Sequence, residues 1–231
     1  MKIAGIIGGV GPDTTAEFYL ELIHRCQKLD VLHRPMILIC SILLPYKVEE
    51  DAILRGIGEE RYVPFLIDAA QKLERAGADF LVMPCNTLHV FIENIRKSVN
   101  IPVLSIVEET TKLLKERNVL EVGILSTDIT LKKNVYRNCF LENGVKQTLP
   151  DSRQQRIIGG IIYNLVMNKK TGKEEKELGK IIDTFKEKKI TNILLACTDL
   201  QLLDPKISGM EIHDTMKIFA QATVQEIIKI K

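Results

Sequence analysis

ADFLVMPCNT, at residues 78–87, is a short apolar run of strand type that ends abruptly in a cysteine, an asparagine and a threonine. TNILLACTD, at residues 191–199, repeats this pattern nearly half the chain later. In a parallel α/β sheet, the carboxyl end of a strand is where ligands bind. Two similar lobes that face each other would bring Cys85 and Cys197 to opposite sides of one cleft. Opposed thiols suit the removal of a proton from one face of a carbon and the return of a proton to the other face.

Strand-like runs alternate with amphipathic helical stretches along the whole chain, which indicates parallel sheets with helices on both faces. We predict an α/β fold of two pseudo-symmetric lobes, each a parallel sheet of about four strands flanked by helices, with the active site in the inter-lobe cleft. The predicted strands are 3–8, 36–43, 80–83 and 101–105, then 121–125, 145–149, 193–196 and 211–213. The predicted helices are 13–29, 61–76, 89–99, 106–116, 129–143, 152–167, 174–188 and 215–228.

The division of the chain follows from this order of elements. We predict an N-terminal lobe over residues 1–105 and a C-terminal lobe over residues 106–213. The C-terminal helix, within 214–231, is expected to cross back and pack on the N-terminal lobe. No stretch rich in Gly, Ser or Pro separates the lobes, so we expect them to pack closely.

Composition excludes several classes of protein. The 32 basic and 30 acidic residues leave a net charge of +2, which gives nucleic-acid binding no support. No apolar run approaches the ~20 residues of a membrane helix, and the apolar start of the chain is too short for a secretion signal. Five cysteines without a signal fit a reducing cytoplasm better than a disulfide framework.

Several motifs, taken together and in order, resemble the aspartate/glutamate racemase family, the cofactor-independent enzymes that use two cysteines. Within that family the glycine turn at 8–12 resembles aspartate racemases more closely than glutamate racemases. The resemblance covers the chain from end to end and implies two facing lobes, catalysis by Cys85 and Cys197, and no cofactor. The motifs are GIIGGVGP at 5–12, MPCNTLH at 83–89, IVEET at 106–110, LST at 125–127 with Thr130 and Tyr136, and ACTDL at 196–200.

The chain departs from the aspartate racemase pattern where the substrate side chain is bound. Aspartate racemases place an arginine just after the proline that follows the second strand, and here Lys47 stands in that place. They also carry a lysine after a helix of the second lobe, where this chain has Met167 followed by Lys169 and Lys170. If Lys47 points into the cleft, an acidic substrate fits. If Lys47 is exposed and Met167 lines the pocket, a neutral or smaller side chain fits better.

Racemisation of an amino acid needs an acid or base on each face and stabilisation of the carboxylate as it gains enolate character. A thiolate is a compact base, and we expect the pKa of both cysteines to be lowered because each lies where a strand turns into a helix. Backbone N–H groups there can bind the α-carboxylate. The candidate substrate-binding residues are Val10 of the glycine turn, Lys47, Asn86, Thr87, Thr127 and Thr198.

Other residues have simpler interpretations. Cys26, Cys40 and Cys139 are predicted to be core residues. His89 and Asp199 are candidates for setting protonation near the thiols, although packing or capping explains His89 equally well. The histidines show no metal-ligand spacing with the cysteines, so we predict no metal site.

The leading hypothesis is a racemase of an acidic amino acid, aspartate first. A related isomerase or decarboxylase that needs one cysteine, and an inactive two-lobed protein that binds a metabolite, stay open as alternatives. A redox role is the weakest, because neither cysteine lies in a C-x-x-C motif. We expect a cytoplasmic homodimer that binds a small amino acid and neither nucleic acid nor membrane.

Overall fold

The computed structural model describes residues 1–29 and 33–229. Its strands are β1 (Ala4–Gly8), β2 (Ile37–Ser41), β3 (Phe80–Val82), β4 (Glu121–Ser126), β5 (Lys146–Thr148), β6 (Asn192–Ala196) and β7 (Glu211–Asp214). They form two parallel sheets, ordered β2-β1-β3 and β5-β4-β6-β7. The first sheet has three strands, and an isolated parallel bridge between Leu81 and Val103 stands where a fourth was expected.

Helices connect the strands and cover both faces of each sheet. Short 3-10 helices span Glu59–Tyr62, Thr87–Phe91 and Thr198–Leu203, and a π-helical turn spans Asp51–Arg55. The α-helices are α1 (Pro12–Lys28), α2 (Tyr46–Glu50), α3 (Val63–Arg75), α4 (Ile92–Arg96), α5 (Ile106–Glu116), α6 (Asp128–Lys132), α7 (Arg137–Glu142), α8 (Ser152–Val166), α9 (Glu174–Glu187) and α10 (Thr215–Ile227). Among the described residues, no helix is both long and apolar enough to cross a membrane.

Three predicted elements differ from the structure. The strand at 101–105 is reduced to a bridge because Pro102 has no N–H to donate, although its carbonyl accepts a hydrogen bond from Leu81. The helix at 129–143 is divided into α6 and α7 by Asn134, which has a φ of 54°. The helix at 89–99 begins as a 3-10 turn.

The hydrophobic core lies in three layers. A central layer of α1, α5 and α10 separates the two sheets, and the rings of Phe18 and Phe219 stack there with centroids 5.7 Å apart. Residues of α3 cover the other face of the first sheet, and residues of α8 and α9 cover the other face of the second. The two strands that lead to the cysteines therefore lie in sheets covered by packed helices.

The helix α10 packs against α1 and α5, and the backbone N–H of Lys2 bonds to the carbonyl of Ile227. This position places the C-terminal helix in contact with helices from both halves of the chain. Residues 230–231 of the predicted C-terminal segment lie outside the described residues. The boundaries of the lobes at 1–105 and 106–213 stay predictions.

Candidate active site

Cys85 and Cys197 line one cavity between the two lobes. Cys197 directly follows β6, and Cys85 lies three residues after β3. Both sheets thus present the carboxyl end of a cysteine-bearing strand to the same space. The cavity is lined by Val10, Gly11, Glu49, Ala52, Ile53, Glu59, Tyr62, Cys85, Asn86, Thr87, Leu88, Thr127, Ile129, Ile162, Val166, Cys197, Thr198 and Asp199.

Contacts across the lobes hold the two cysteine segments together. The hydroxyl of Thr198 donates to the carbonyl of Pro84 over 3.2 Å, which joins the residue after one cysteine to the residue before the other. Gly11 has a φ of +78°, and a Cβ there would lie 3.1 Å from Oδ1 of Asp199. The glycine turn is therefore required both for its left-handed backbone and for the close approach of the second lobe.

Burial dominates the ionisation of Cys85. Burial raises the pKa of Cys85 to about 12, even though the backbone N–H groups of Leu88 and Thr87 act to lower it. The expectation that a helix start lowers the thiol pKa is wrong in this structure. The segment that follows Cys85 is a five-residue 3-10 turn, so its dipole is too short to outweigh desolvation.

Cys197 is 6% exposed, and its Sγ lies 3.7 Å from Oδ2 of Asp199. Burial raises the pKa of Cys197 well above its ordinary value, and the negative charge of Asp199 adds to the shift. The Asp199 carboxyl also accepts a 2.7 Å hydrogen bond from the hydroxyl of Thr14 in the first lobe. Burial raises the pKa of Asp199 as well. A carboxyl group is thus fixed beside the second thiol.

His89 supports the first cysteine from behind and does not line the cavity. The backbone N–H of Ile106 donates to Nε2 of His89 over 3.0 Å, so Nε2 carries no proton. Nδ1 then carries the proton and donates to the carbonyl of Cys85 over 2.7 Å. Burial lowers the pKa of His89 to about 4, which keeps this neutral tautomer. The histidine joins the Cys85 segment to the start of α5 and fixes both.

Asn86 is held rigidly at the wall of the cavity. Its Nδ2 donates to the hydroxyl of Thr215 over 3.0 Å, and its Oδ1 accepts a short hydrogen bond from the hydroxyl of Tyr136. The hydroxyl of Thr215 in turn donates to the carbonyl of Leu195 in β6. The amide therefore bridges the two lobes, and these two bonds use one of its N–H groups and its oxygen.

Three threonine hydroxyls form a second polar contact between the lobes. Oγ1 of Thr87 lies 2.9 Å from Oγ1 of Thr127 and 3.1 Å from Oγ1 of Thr130. Thr127 and Thr130 are 3.0 Å apart through the same atoms. Thr87 and Thr127 line the cavity, and Thr130 lies behind them.

The structure brings every predicted site residue to the cavity except Lys47. The Lys47 side chain is 59% exposed, and its Nζ pairs with Glu50 at 3.1 Å and with Asp51 at 3.2 Å. It lies in α2, where these acidic partners follow at helical spacing and draw the ammonium along the outer surface. Met167 does not line the cavity either, and Val166 takes that position. Neither of the two side-chain outcomes expected from sequence applies as stated.

Sequence reasoning missed the segment that contains α2 and the π-helical turn. This segment brings Glu49, Ala52 and Ile53 to the cavity and packs against α8 of the second lobe. Buried Val48 and Ala52 are four residues apart after Pro45, a helical spacing that was available in the sequence. Glu59, Tyr62, Ile129 and Ile162 are further cavity residues that no motif indicated, and Gly11 and Leu88 lie in motifs without having been named as site residues.

Burial, together with the negative charge of Asp199, raises the pKa of Glu49 to about 7. Glu59 is paired with Lys133 of the second lobe, with 2.6 Å between Oε1 and Nζ, and this contact lowers its pKa. Over residues 1–29 and 33–229, no group of three or more His, Cys, Asp or Glu side chains has the geometry of a metal site.

The model of the Asp/Glu/hydantoin racemase family matches residues 7–223. The chain belongs to this family. It is therefore a racemase, an isomerase, which confirms the resemblance and the enzyme class predicted from sequence.

Individual relatives of this racemase agree with the family match. It is 31% identical over 228 residues to the broad specificity amino-acid racemase RacX of Bacillus subtilis (strain 168), a match that covers 95% of this chain and 96% of the relative. An aspartate racemase homologue from Pyrococcus horikoshii OT3 superposes with a TM-score of 0.80 at 26% identity, covering 99% of this chain and all of that one (100%). The aspartate racemase of Picrophilus torridus gives a TM-score of 0.79 at 23% identity, covering 98% and 94% of the two chains, and supports the two-lobed α/β fold.

Proposed function

We propose that this racemase inverts the α-carbon of a free amino acid without pyridoxal phosphate, with Cys85 and Cys197 as the acid and base on its two faces. The observation that carries the proposal is the convergence of both thiols on one inter-lobe cavity. In one direction, one thiolate removes the α-proton and the other thiol donates a proton to the opposite face. One turnover leaves the first cysteine as a thiol and the second as a thiolate, and proton exchange with solvent restores the starting state. The roles reverse for the other enantiomer.

The polar residues beside the thiols support binding of the α-carboxylate. Backbone N–H groups of Thr87 and Leu88 lie near enough to Cys85 to lower the pKa of its thiol, so the same segment offers donors to a substrate placed there. Thr127 and Thr198 add hydroxyl groups from the second lobe. Donors fixed before the reaction stabilise the enolate-like charge as it develops.

Both thiols need a compensating positive charge to ionise, because burial raises the pKa of each. The α-ammonium of the substrate supplies this charge, and the carboxylate of Asp199 beside Cys197 binds the ammonium. An ammonium between Asp199 and the thiols offsets the negative charge that disfavours a thiolate. Substrate binding thus activates the base.

Aspartate was the substrate first expected from sequence, and that expectation depended on Lys47. With Lys47 on the outer surface, the cavity gives no support to an acidic side chain, so the proposed function is amino-acid racemisation in general. Location in the cytoplasm and assembly as a homodimer stay predictions from sequence.

A direct test is incubation of single-enantiomer amino acids with the enzyme in deuterated water, followed by chiral chromatography and mass spectrometry. Racemisation should give the opposite enantiomer with one solvent deuterium at the α-carbon. Loss of CO₂ would instead identify a decarboxylase, and binding without any exchange would identify a metabolite-binding protein. Either of those results would overturn the proposal.

A further inference from the structure

The charged groups that line the active cavity are all acidic. Over the described residues 1–29 and 33–229, its lining contains Glu49, Glu59 and Asp199 and no lysine or arginine. The charge of Glu59 is matched by Lys133. Asp199 has Thr14 and Cys197 as partners and lies at the thiol, where the α-ammonium is expected. Of these three carboxylates, Glu49 is the one to which neither a protein partner nor the substrate α-ammonium has been assigned.

Glu49 is 8% exposed, and its side chain makes no hydrogen bond or ion pair with any other residue that the structure describes. The nearby cations are already engaged: Lys47 pairs with Glu50 and Asp51, and Arg61 pairs with Asp51. A mostly buried carboxylate is unfavourable when it is ionised without a cation nearby. Its placement in a substrate cavity is explained if the partner is a cation on the substrate.

We propose that the enzyme prefers an amino acid with a cationic side chain, of the lysine, ornithine or arginine class, and that Glu49 is the residue that selects it. This inference rests on the proposed racemisation at Cys85 and Cys197. Glu49 lies within electrostatic range of both Asp199 and Cys85, so it is close to the reacting centre without touching either thiol.

The rest of the lining fits such a side chain. Ala52 and Ile53 of the π-helical turn and Ile162 and Val166 of α8 give an apolar wall beside Glu49. The methylenes of a long cationic side chain pack on apolar surface while the charged end reaches a carboxylate. An acidic side chain in the same place would face Glu49 and Asp199, and like charges that are brought together out of water repel strongly.

The inference is tested by comparing kcat/KM for lysine, ornithine and arginine with norleucine, aspartate and glutamate, using deuterium incorporation as the readout. Norleucine matches the lysine stem without its charge. We expect lysine, ornithine or arginine to be the best substrate. In Glu49→Gln, the ratio of kcat/KM for lysine to that for norleucine should fall roughly 10- to 100-fold, the range for loss of a hydrogen bond to a charged group.

Glu50→Gln is the matched control, because Glu50 is the next residue, forms a surface pair with Lys47 and does not line the cavity. It should leave the lysine to norleucine ratio unchanged. The wild-type panel keeps the inference testable if Glu49→Gln does not fold. Preference for aspartate, glutamate or norleucine over all three cationic substrates would overturn it, as would an unchanged ratio in folded Glu49→Gln.

Failure of this inference is distinguishable from failure of the proposed function. If a neutral or acidic amino acid is racemised and both cysteines are needed, the two-thiol mechanism stands and only the choice of side chain is wrong. If no amino acid in the panel exchanges its α-proton, or if exchange survives loss of either cysteine, the proposed function fails and the inference fails with it.

Discussion

The two strand ends that carry the cysteines share a backbone pattern and differ in the charges around the sulfur. At the first, backbone N–H groups of Thr87 and Leu88 approach Cys85, and the neutral ring of His89 lies behind it. At the second, the carboxyl of Asp199 lies 3.7 Å from Cys197. Gln201 occupies the place, four residues after the cysteine, that His89 has in the first half.

This difference shows that duplicated topology supplies the facing geometry, while individual side chains decide the chemistry on each side. Donors near Cys85 favour its thiolate, and the acidic neighbour of Cys197 favours its thiol. We therefore expect Cys85 to ionise first. The equilibrium constant of racemisation is one, so kcat/KM is equal in both directions. The difference between the two halves is therefore measured from the ionisation of each thiol.

The largest effect is expected from removal of either sulfur. Cys85→Ala and Cys197→Ala should each lower racemisation by roughly 10³-fold or more, since each face loses its acid or base. Chiral chromatography of product measures this. Cys139→Ala, which removes a thiol that does not line the cavity, is the control and should keep wild-type activity. Racemisation at the wild-type rate by either active-site variant would refute the two-base mechanism.

The next prediction concerns the charge that distinguishes the halves. Asp199→Asn should lower the pKa of Cys197 more than that of Cys85, because it removes the negative charge nearest to Cys197. The measurement is the pH dependence of iodoacetamide alkylation at each cysteine, resolved by peptide mass spectrometry. Asp204→Asn, which changes an exposed carboxylate paired with Lys206, should leave both profiles unaltered. Equal shifts at the two thiols would show that the halves are electrically equivalent.

His89 gives a prediction for stability against pH. Its pKa is about 4 when folded and ~6.5 when unfolded. Between these pH values the unfolded chain is protonated at His89 and the folded chain is not, so protonation favours unfolding. The contribution is complete above about pH 6.5 and falls by about 3 kcal/mol as the pH drops through 4. In urea titrations at several pH values, wild type should lose stability with acid more steeply than His89→Gln.

At neutral pH His89→Gln should also be less stable by about 2 kcal/mol, because it disturbs the bonds to Cys85 and Ile106. His213 is buried with a lowered pKa in both proteins, so the difference between them isolates His89. Parallel pH curves would exclude the proposed neutral tautomer.

The smallest effect is expected at the threonine trio. Thr130→Val removes a hydroxyl 3.0–3.1 Å from Thr127 and Thr87 without changing the cavity lining. We expect kcat/KM to fall roughly two- to fivefold, since one net hydrogen bond that positions two cavity residues is lost. Thr223→Val removes a hydroxyl inside α10 and is the matched control. The same loss of activity in both variants would mean that the trio has no special role.

Much of the fold was predictable because local patterns record it. Apolar runs at β1 and β6, and helical spacing in α3 and α5, are short-range signals that burial enforces in any packed α/β protein. Pro102 is evident in the sequence, but the loss of the strand at 101–105 depended on how this segment pairs with β3. The break at Asn134 depends on how α6 and α7 each pack against the core, and local helix propensity carries no information on that packing.

The candidate site was predictable only where a residue belonged to a motif. Asn86, Thr87 and Thr198 follow the cysteines directly and were found. Glu49 was missed because α2 carries no motif, and Lys47 was misplaced because two neighbouring carboxylates hold it outside. Which side of a short helix faces a cavity depends on the surface against which it packs.

The sequence by itself determined the repeated strand-and-cysteine pattern, the two lobes and the pair of thiols, because these depend on hydrophobic period and covalent order. The tertiary structure alone decided the electrostatics of the cavity. Burial raises the thiol pKa values instead of lowering them, and Glu49 rather than Lys47 faces the substrate space. Charges act through distance and solvent exposure, and neither quantity exists until the lobes have closed on each other.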